Sequence, residues 1–105
     1  MRLLIATILL TVASFSFGAG DSGIIKEIYV DQSGGVAIQL ETGFPNAVAA
    51  NECSTYNGWA GNTTADPILK STLLASKVSK SPIRVSLSGC DAGGAWIKII
   101  AVYVK

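Results

Sequence analysis

The order of apolar and polar side chains predicts a hairpin in the first half of this chain. Residues 24–30 are rich in β-branched and aromatic side chains, and residues 36–41 alternate between apolar and polar positions. The five residues between them include Gly34 and Gly35, which accept the positive φ that a tight turn needs. We therefore expect two antiparallel strands, the second with one buried and one solvated face.

Residues 66–90 predict a helix, a tight turn and a strand. Asp66 is a suitable N-cap, and Pro67 suits the first helical position, where no N–H needs a partner. The helix is predicted to end near Ser79, because the residue before Pro82 is driven out of the α region. Residues 83–88 then alternate between apolar and polar side chains, as in a strand with one solvated face.

The predicted helix, residues 66–79, is unusually apolar. Lys70 and Lys77 lie on one narrow seam, and apolar side chains cover much of the remaining surface. Two interpretations follow. Either the helix packs against a sheet and a second surface, or it lies in the subunit interface of a homo-oligomer.

The rest of the chain completes the prediction of a mainly β, or β-rich α+β, fold. Residues 95–105 form a strand that is apolar on both faces, with a break in alternation at Ile99 and Ile100 that indicates a bulge. Residues 42–64 are interrupted by glycine, proline and asparagine, which indicates a loop holding a short irregular strand at 53–59. One helix cannot cover both faces of a flat sheet. We therefore expect a small curled antiparallel sheet or an OB-like barrel of about five strands.

The N-terminal residues 1–20 have the features of a secretory signal peptide. Arg2 is followed by an apolar run that is too short to span a bilayer, and small residues come next. Cleavage is predicted after Gly18 or Gly20, leaving one small β-rich domain of residues 21–105. The mature chain is thus expected to be secreted or periplasmic, with no membrane span.

Cys53 and Cys90 are the two cysteines of the chain. In an exported protein they predict one disulfide bond, worth roughly 3 to 4 kcal/mol on the chain-entropy estimate. Their spacing is not that of a C-x-x-C redox pair, and the chain has no histidine. We therefore expect neither a metal site nor a cofactor.

Charge and composition argue against several functional classes. The net charge is +1 and falls to near zero when Arg2 is removed, which disfavours a nucleic-acid partner. Residues 20–23, GDSG, match the nucleophile motif of trypsin-like proteases, but no histidine is present to accept the serine proton. The carboxylates show no catalytic spacing. The chain is therefore predicted not to be an enzyme.

A polar and aromatic segment, residues 54–62, is the candidate binding site. Tyr56, Asn57, Trp59 and Asn62 are the side-chain types that stack on sugar rings and bond sugar hydroxyls, and residues 91–96 are a candidate second segment. The alternative is that Tyr56 and Trp59 fill the core beside the disulfide. Asn62 also opens an N-glycosylation motif, which we interpret as a polar loop before the helix.

The order of these motifs resembles a group of small secreted bacterial proteins, most of them uncharacterised. The resemblance rests on a cysteine with nearby aromatics, the helix segment LLASK at 73–77, PIRV at 82–85, SGC at 88–90 and the terminal strand at 96–104. More distantly, it is similar to the B subunits of subtilase-type and pertussis-like toxins. That similarity implies an OB-like barrel that assembles as a ring of five and binds sialylated glycans. No sugar-contacting residue is carried over from it.

Together these features predict an exported, non-enzymatic binding protein, with a glycan as the favoured ligand. The alternative is a periplasmic or secreted protein-interaction module, an inhibitor or an assembly component, that uses the apolar helix.

Overall fold

The computed structural model describes residues 19–105, and the predicted signal peptide up to residue 18 lies outside them. The elements in chain order are β1 (Ala19–Gly23), β2 (Ile25–Val30), β3 (Val36–Leu40), α1 (Pro45–Ala50), β4 (Trp59–Asn62), α2 (Pro67–Ser79), β5 (Ile83–Asp91), a 3₁₀ turn (Ala92–Gly94) and β6 (Trp96–Val104). The mainly β class with one main helix is confirmed.

The six strands form one sheet in the order β1-β5-β6-β4-β3-β2. Neighbouring strands are antiparallel except β4 and β6, which are parallel. The sheet is curled but not closed, since β1 and β2 are its two edges. About five strands were expected and six are present. The strand that was not predicted is β1, because its sequence AGDSG lacks the apolar alternation that identifies a strand.

The predicted hairpin is confirmed as β2 and β3, which pair antiparallel. Asp31 holds its turn: one carboxylate oxygen accepts the Ser33 hydroxyl at 2.7 Å and the Gly35 N–H at 3.0 Å, and the other accepts the Tyr29 hydroxyl at 3.0 Å. These hydrogen bonds, led by those from Ser33 and Gly35, lower the pKa of Asp31 to about 2. The turn is therefore secured by an ionised carboxylate.

Acid should weaken this hairpin in a defined pH window. Because the pKa of Asp31 is lower in the folded than in the unfolded chain, its contribution to stability is complete above about pH 4 and is lost as pH falls towards 2. We expect Asp31→Asn to lower Tm most at pH 6, with the gap to wild type closing towards pH 2. Thermal unfolding between pH 2 and 6 measures this.

Glu41→Gln is the control for that experiment, since Glu41 is exposed at the end of β3. It should follow the wild-type profile. A constant Tm gap between Asp31→Asn and wild type across the whole range would contradict the assignment.

Helix α2 begins as predicted, with the Asp66 carboxylate accepting the Ile68 N–H at 2.9 Å. It ends at Ser79, and Lys80 adopts the left-handed conformation with φ 56°. Only Leu73 and Ser76 of the helix are fully buried. Helix α2 thus packs on β2 and β6 through a narrow face, and no second surface among residues 19–105 covers the rest.

The predicted irregularity in the last strand is confirmed. Ser86 pairs with Ala101 but Leu87 pairs with Ile99, so Ile100 is the extra residue of the bulge and is 57% exposed. The bulge keeps Ile99 in the core, and regular pairing with β5 resumes at Ala101. The adjacent apolar residues Ile99 and Ile100 thus lie on different faces of β6.

The disulfide between Cys53 and Cys90 is confirmed, with the two Cα atoms 5.5 Å apart. The strand predicted at 53–59 is wrong in its position, because β4 begins only at Trp59. Residues 53–58 form turns, and the Asn57 N–H bonds the Ala95 carbonyl at 2.9 Å. The disulfide therefore joins β5 to a turn.

Helix α1 lies in the segment predicted to be a loop. Its N-cap, Phe44, has no side-chain acceptor, and the missing cap comes from β1. Asp21 is 3% exposed, and its two oxygens accept the N–H groups of Asn46 and Ala47, each at 3.0 Å. The Asn46 side chain also donates to the Gly20 carbonyl at 2.8 Å. The acid of the GDSG motif is thus a helix cap supplied by a distant strand.

Candidate functional site

The four predicted site residues do not meet on one surface. Tyr56 turns towards the core and packs against its apolar cluster, beside α1 and the disulfide. Burial, with a smaller effect from the charge of Asp21, raises the pKa of its hydroxyl. For Tyr56 the alternative interpretation, a core residue beside the disulfide, matches its position.

Asn62 is occupied by bonds within the fold. Its amide nitrogen donates to the Ile99 carbonyl at 3.0 Å, and its amide oxygen accepts the Thr64 N–H at 2.9 Å. These contacts join the end of β4 to β6 and shape the approach to α2. The side chain that opens the N-glycosylation motif is therefore engaged in structural hydrogen bonds.

Asp91, in the second candidate segment, is also engaged. It accepts the Thr63 N–H and the Thr63 hydroxyl, each at 2.9 Å, and the Ala92 N–H at 2.8 Å. Burial opposes the ionisation of Asp91, but these hydrogen bonds and the charge of Lys98 outweigh it and lower the pKa of the carboxyl. Asp91 thus fixes the chain before β6.

The Trp59 side chain, unlike that of Tyr56, lies on the sheet face opposite the core. There it lies in register with Trp96 on the neighbouring strand β6. Tyr29 from the edge strand β2 meets both rings edge-on, with centroid distances of 6.4 Å to Trp59 and 5.9 Å to Trp96. We call Tyr29, Trp59 and Trp96 the aromatic cluster.

Two small residues beneath the aromatic cluster allow its rings to lie against the sheet. Ala37 and Gly61 are cross-strand neighbours at the centre of this face. A Cβ atom at Gly61 would come within 2.7 Å of both the Ala37 Cβ and a ring carbon of Trp96. Ala37 is consequently fully buried, although we expected its side of β3 to be solvated. The covering comes from aromatic side chains of other strands.

The aromatic cluster remains accessible and has polar neighbours. Tyr29 is 44% exposed, and Trp59 and Trp96 are half-buried. Lys98 pairs with Gly61 and Gln39 pairs with Glu27, so these three polar residues lie on the same sheet face as the rings. The arrangement offers flat apolar surfaces with hydrogen-bonding groups beside them.

Asn57 lies next to this cluster through the backbone of Trp59. Its side-chain oxygen accepts the Trp59 N–H at 3.2 Å, and the residue is exposed. Of the four predicted residues, Trp59 therefore belongs to the cluster and Asn57 borders it, whereas Tyr56 and Asn62 do neither. Trp96 came from the second predicted segment, but no sequence signal singled out Tyr29, whose position depends on the order of the strands.

The described residues contain neither a metal-binding cluster nor a membrane-spanning helix. Residues 19–105 contain no group of three or more histidine, cysteine, aspartate or glutamate side chains placed to hold a metal ion. Nor does any helix in this range have the length and hydropathy needed to cross a membrane.

No family model, no curated protein and no solved structure matches this chain. The resemblance to toxin B subunits therefore stays an expectation from sequence motifs.

Proposed function

We propose that this chain is an exported, non-enzymatic binding protein that holds a glycan against the aromatic cluster. The supporting observation is the convergence of Tyr29, Trp59 and Trp96 on an accessible sheet face, over Ala37 and Gly61. Clustered aromatic side chains on a surface commonly mark a binding site, since they offer a large contact area.

The chemistry of this face suits a sugar. The faces of a pyranose ring carry C–H groups that pack on aromatic rings, and its hydroxyls need donors and acceptors at the rim. In this proposal the amide groups of Gln39 and Asn57, with Lys98 and Glu27, supply them; these residues share or border the face of the rings. Apolar surfaces with a few polar groups are the usual composition of small-molecule sites.

Export is part of the proposal and is supported by the disulfide, since such bonds persist in oxidising compartments. Strand β1 favours the first of the two predicted cleavage positions. Cleavage after Gly18 would keep the Ala19–Leu87 pair and the Gly20 carbonyl that accepts the Asn46 side chain. Cleavage after Gly20 would remove both.

A second candidate is the protein-interaction module, supported by one observation on α2. Ile68, Leu74 and Val78 are 70%, 50% and 75% exposed. Apolar side chains this exposed on one helix are typical of a surface that contacts another protein. The two candidates use different surfaces, so one experiment separates them.

Replacement of the Trp59 ring tests the glycan proposal. The oxidised mature protein is screened on a glycan array, and the affinity for the best ligand is then measured by titration calorimetry. We expect Trp59→Ala to weaken binding about tenfold or more, the equivalent of roughly 1.4 kcal/mol, because one stacking surface is lost. The Tm of the variant is measured in parallel.

Leu74→Ala is the matched control, because it removes an exposed apolar side chain from α2 instead of from the cluster. It should leave glycan affinity unchanged. Equal affinity of folded Trp59→Ala and wild type would refute the site. A folded, oxidised protein that binds nothing on the array would favour the interaction module.

A further inference from the structure

A shallow, open cavity of about 390 Å³ lies on the same sheet face as the aromatic cluster, at the other end of β6. It lies over strands β1, β5 and β6, and its lining includes Gly20, Arg84, Ser86, Ile100 and Tyr103. Its volume is in the range of small-ligand sites. None of these residues belongs to the proposed glycan site.

Arg84 is the cationic side chain of this cavity. Its guanidinium carbon lies 4.1 Å from the centroid of the Tyr103 ring, and the two residues are paired in register. Stacking on an aromatic ring restrains a guanidinium without using its N–H groups, which stay free to bond in the plane of the fork. The arginine is thus held in place with its donors available.

Three acidic residues of the sheet are directed away from Arg84 or lie far from it. Asp21 in the adjacent strand pairs with Val85, so it faces the core, where it caps α1. Glu27 lies on β2 at the opposite edge of the sheet, four strands away. Asp91, at the far end of β5, is engaged by Thr63. The carboxylates of Asp21 and Asp91 are therefore committed to contacts other than Arg84.

The rest of the cavity provides room, a hydroxyl and an apolar wall. A Cβ added at Gly20 would meet only the Val85 carbonyl, at 3.7 Å, so the floor beside Ser86 is open. Ser86 lines this floor and carries a hydroxyl that can donate a hydrogen bond. Ile100, projected by the bulge, gives an apolar wall facing this polar floor.

We infer that this cavity binds a small organic carboxylate. The Arg84 guanidinium donates to the two carboxylate oxygens, as guanidinium groups do in bidentate pairs. The Ser86 hydroxyl donates to one of them, and the apolar body of the ligand packs between Ile100 and the Tyr103 ring. The cavity volume exceeds that of a bare inorganic ion and leaves space for such a body. This inference does not rest on the glycan proposal.

Benzoate is the probe, because it combines a carboxylate with a flat apolar body. The oxidised protein is titrated at constant ionic strength and followed by ¹H–¹⁵N NMR. We expect saturable shifts of the Gly20, Arg84 and Ser86 amides, and none of them with the neutral isostere benzamide. Arg84→Gln should weaken benzoate binding about tenfold or more, as expected when a charge-assisted bidentate pair is lost.

Two further variants complete the test. Lys98→Gln removes another cation from the same sheet face and should leave the benzoate titration unchanged. Ser86→Val should block benzoate binding, because the larger side chain fills the floor of the cavity while Arg84 is intact. This variant tests the site even if Arg84→Gln fails to fold. Shifts that do not saturate, that benzamide reproduces, or that persist in Arg84→Gln would overturn the inference.

Discussion

Asp21→Ala should destabilise the folded domain by about 3 kcal/mol. The substitution removes both acceptors of the Asn46 and Ala47 N–H groups at the start of α1, and the Ala47 end of this contact is buried. Hydrogen bonds to a charged group contribute about 1.5 to 3 kcal/mol, and buried unsatisfied amides cost a similar amount. Phe44 offers no replacement cap. The effect is large because β1 and α1 are both held by this carboxylate.

Thermal and urea unfolding of the oxidised protein measure this effect. For a domain of this size, 3 kcal/mol corresponds to a fall in Tm of about 12 to 24 °C. Ser22→Ala is the control: Ser22 is exposed, and its known contact uses the backbone carbonyl, so a change within about 0.5 kcal/mol is expected. An Asp21→Ala protein as stable as wild type would show that α1 does not depend on the cap.

Gly61→Ala should be at least as damaging, with a loss of about 3 kcal/mol or more. The new methyl group would overlap the Val36 carbonyl and lie 2.7 Å from both the Ala37 Cβ and a Trp96 ring carbon. Overpacking usually costs 1 to 3 kcal/mol, and here one obstacle is the backbone of an interior strand, which cannot move aside alone. The gain of about 0.5 to 1 kcal/mol from replacing a strand glycine is too small to compensate.

The same substitution should also disturb the proposed binding surface, since the Trp96 ring must move. We expect altered near-UV circular dichroism, weaker glycan binding and a lower Tm. Gly20→Ala is the control, because its Cβ would make an ordinary contact of 3.7 Å in an edge strand. A Gly61→Ala protein with unchanged Tm and spectrum would contradict the close packing under the aromatic cluster.

Local sequence signals were sufficient where an element depends on its own residues. The Asp66 cap of α2 lies two residues from the N–H that it accepts, and the turn held by Asp31 closes within five residues. Helix α1 was missed for the opposite reason. Its cap, Asp21, is 25 residues from Asn46 and belongs to a strand with no apolar alternation.

The candidate site shows the same division. The residue types in 54–62 correctly indicated Trp59 as a surface aromatic. Strand alternation, however, places Asn62 on the other face of the sheet, and Tyr56 packs against the core. Tyr29 on β2 meets Trp59 on β4 and Trp96 on β6 only because the strand order brings these three strands close together. Such a relation between residues 30 or more positions apart depends on strand order, which periodicity does not encode.

By itself, the sequence determined the β-rich class, the hairpin, helix α2, the bulge in β6 and the pairing of the two cysteines. Each follows from backbone preferences of adjacent residues, from side-chain periodicity, or from there being a single way to pair two thiols. The tertiary structure decided the open six-stranded sheet, the parallel contact of β4 with β6, the Asp21 cap, and which aromatic rings meet. These depend on which distant strands become neighbours, and that is set by the burial of the whole core.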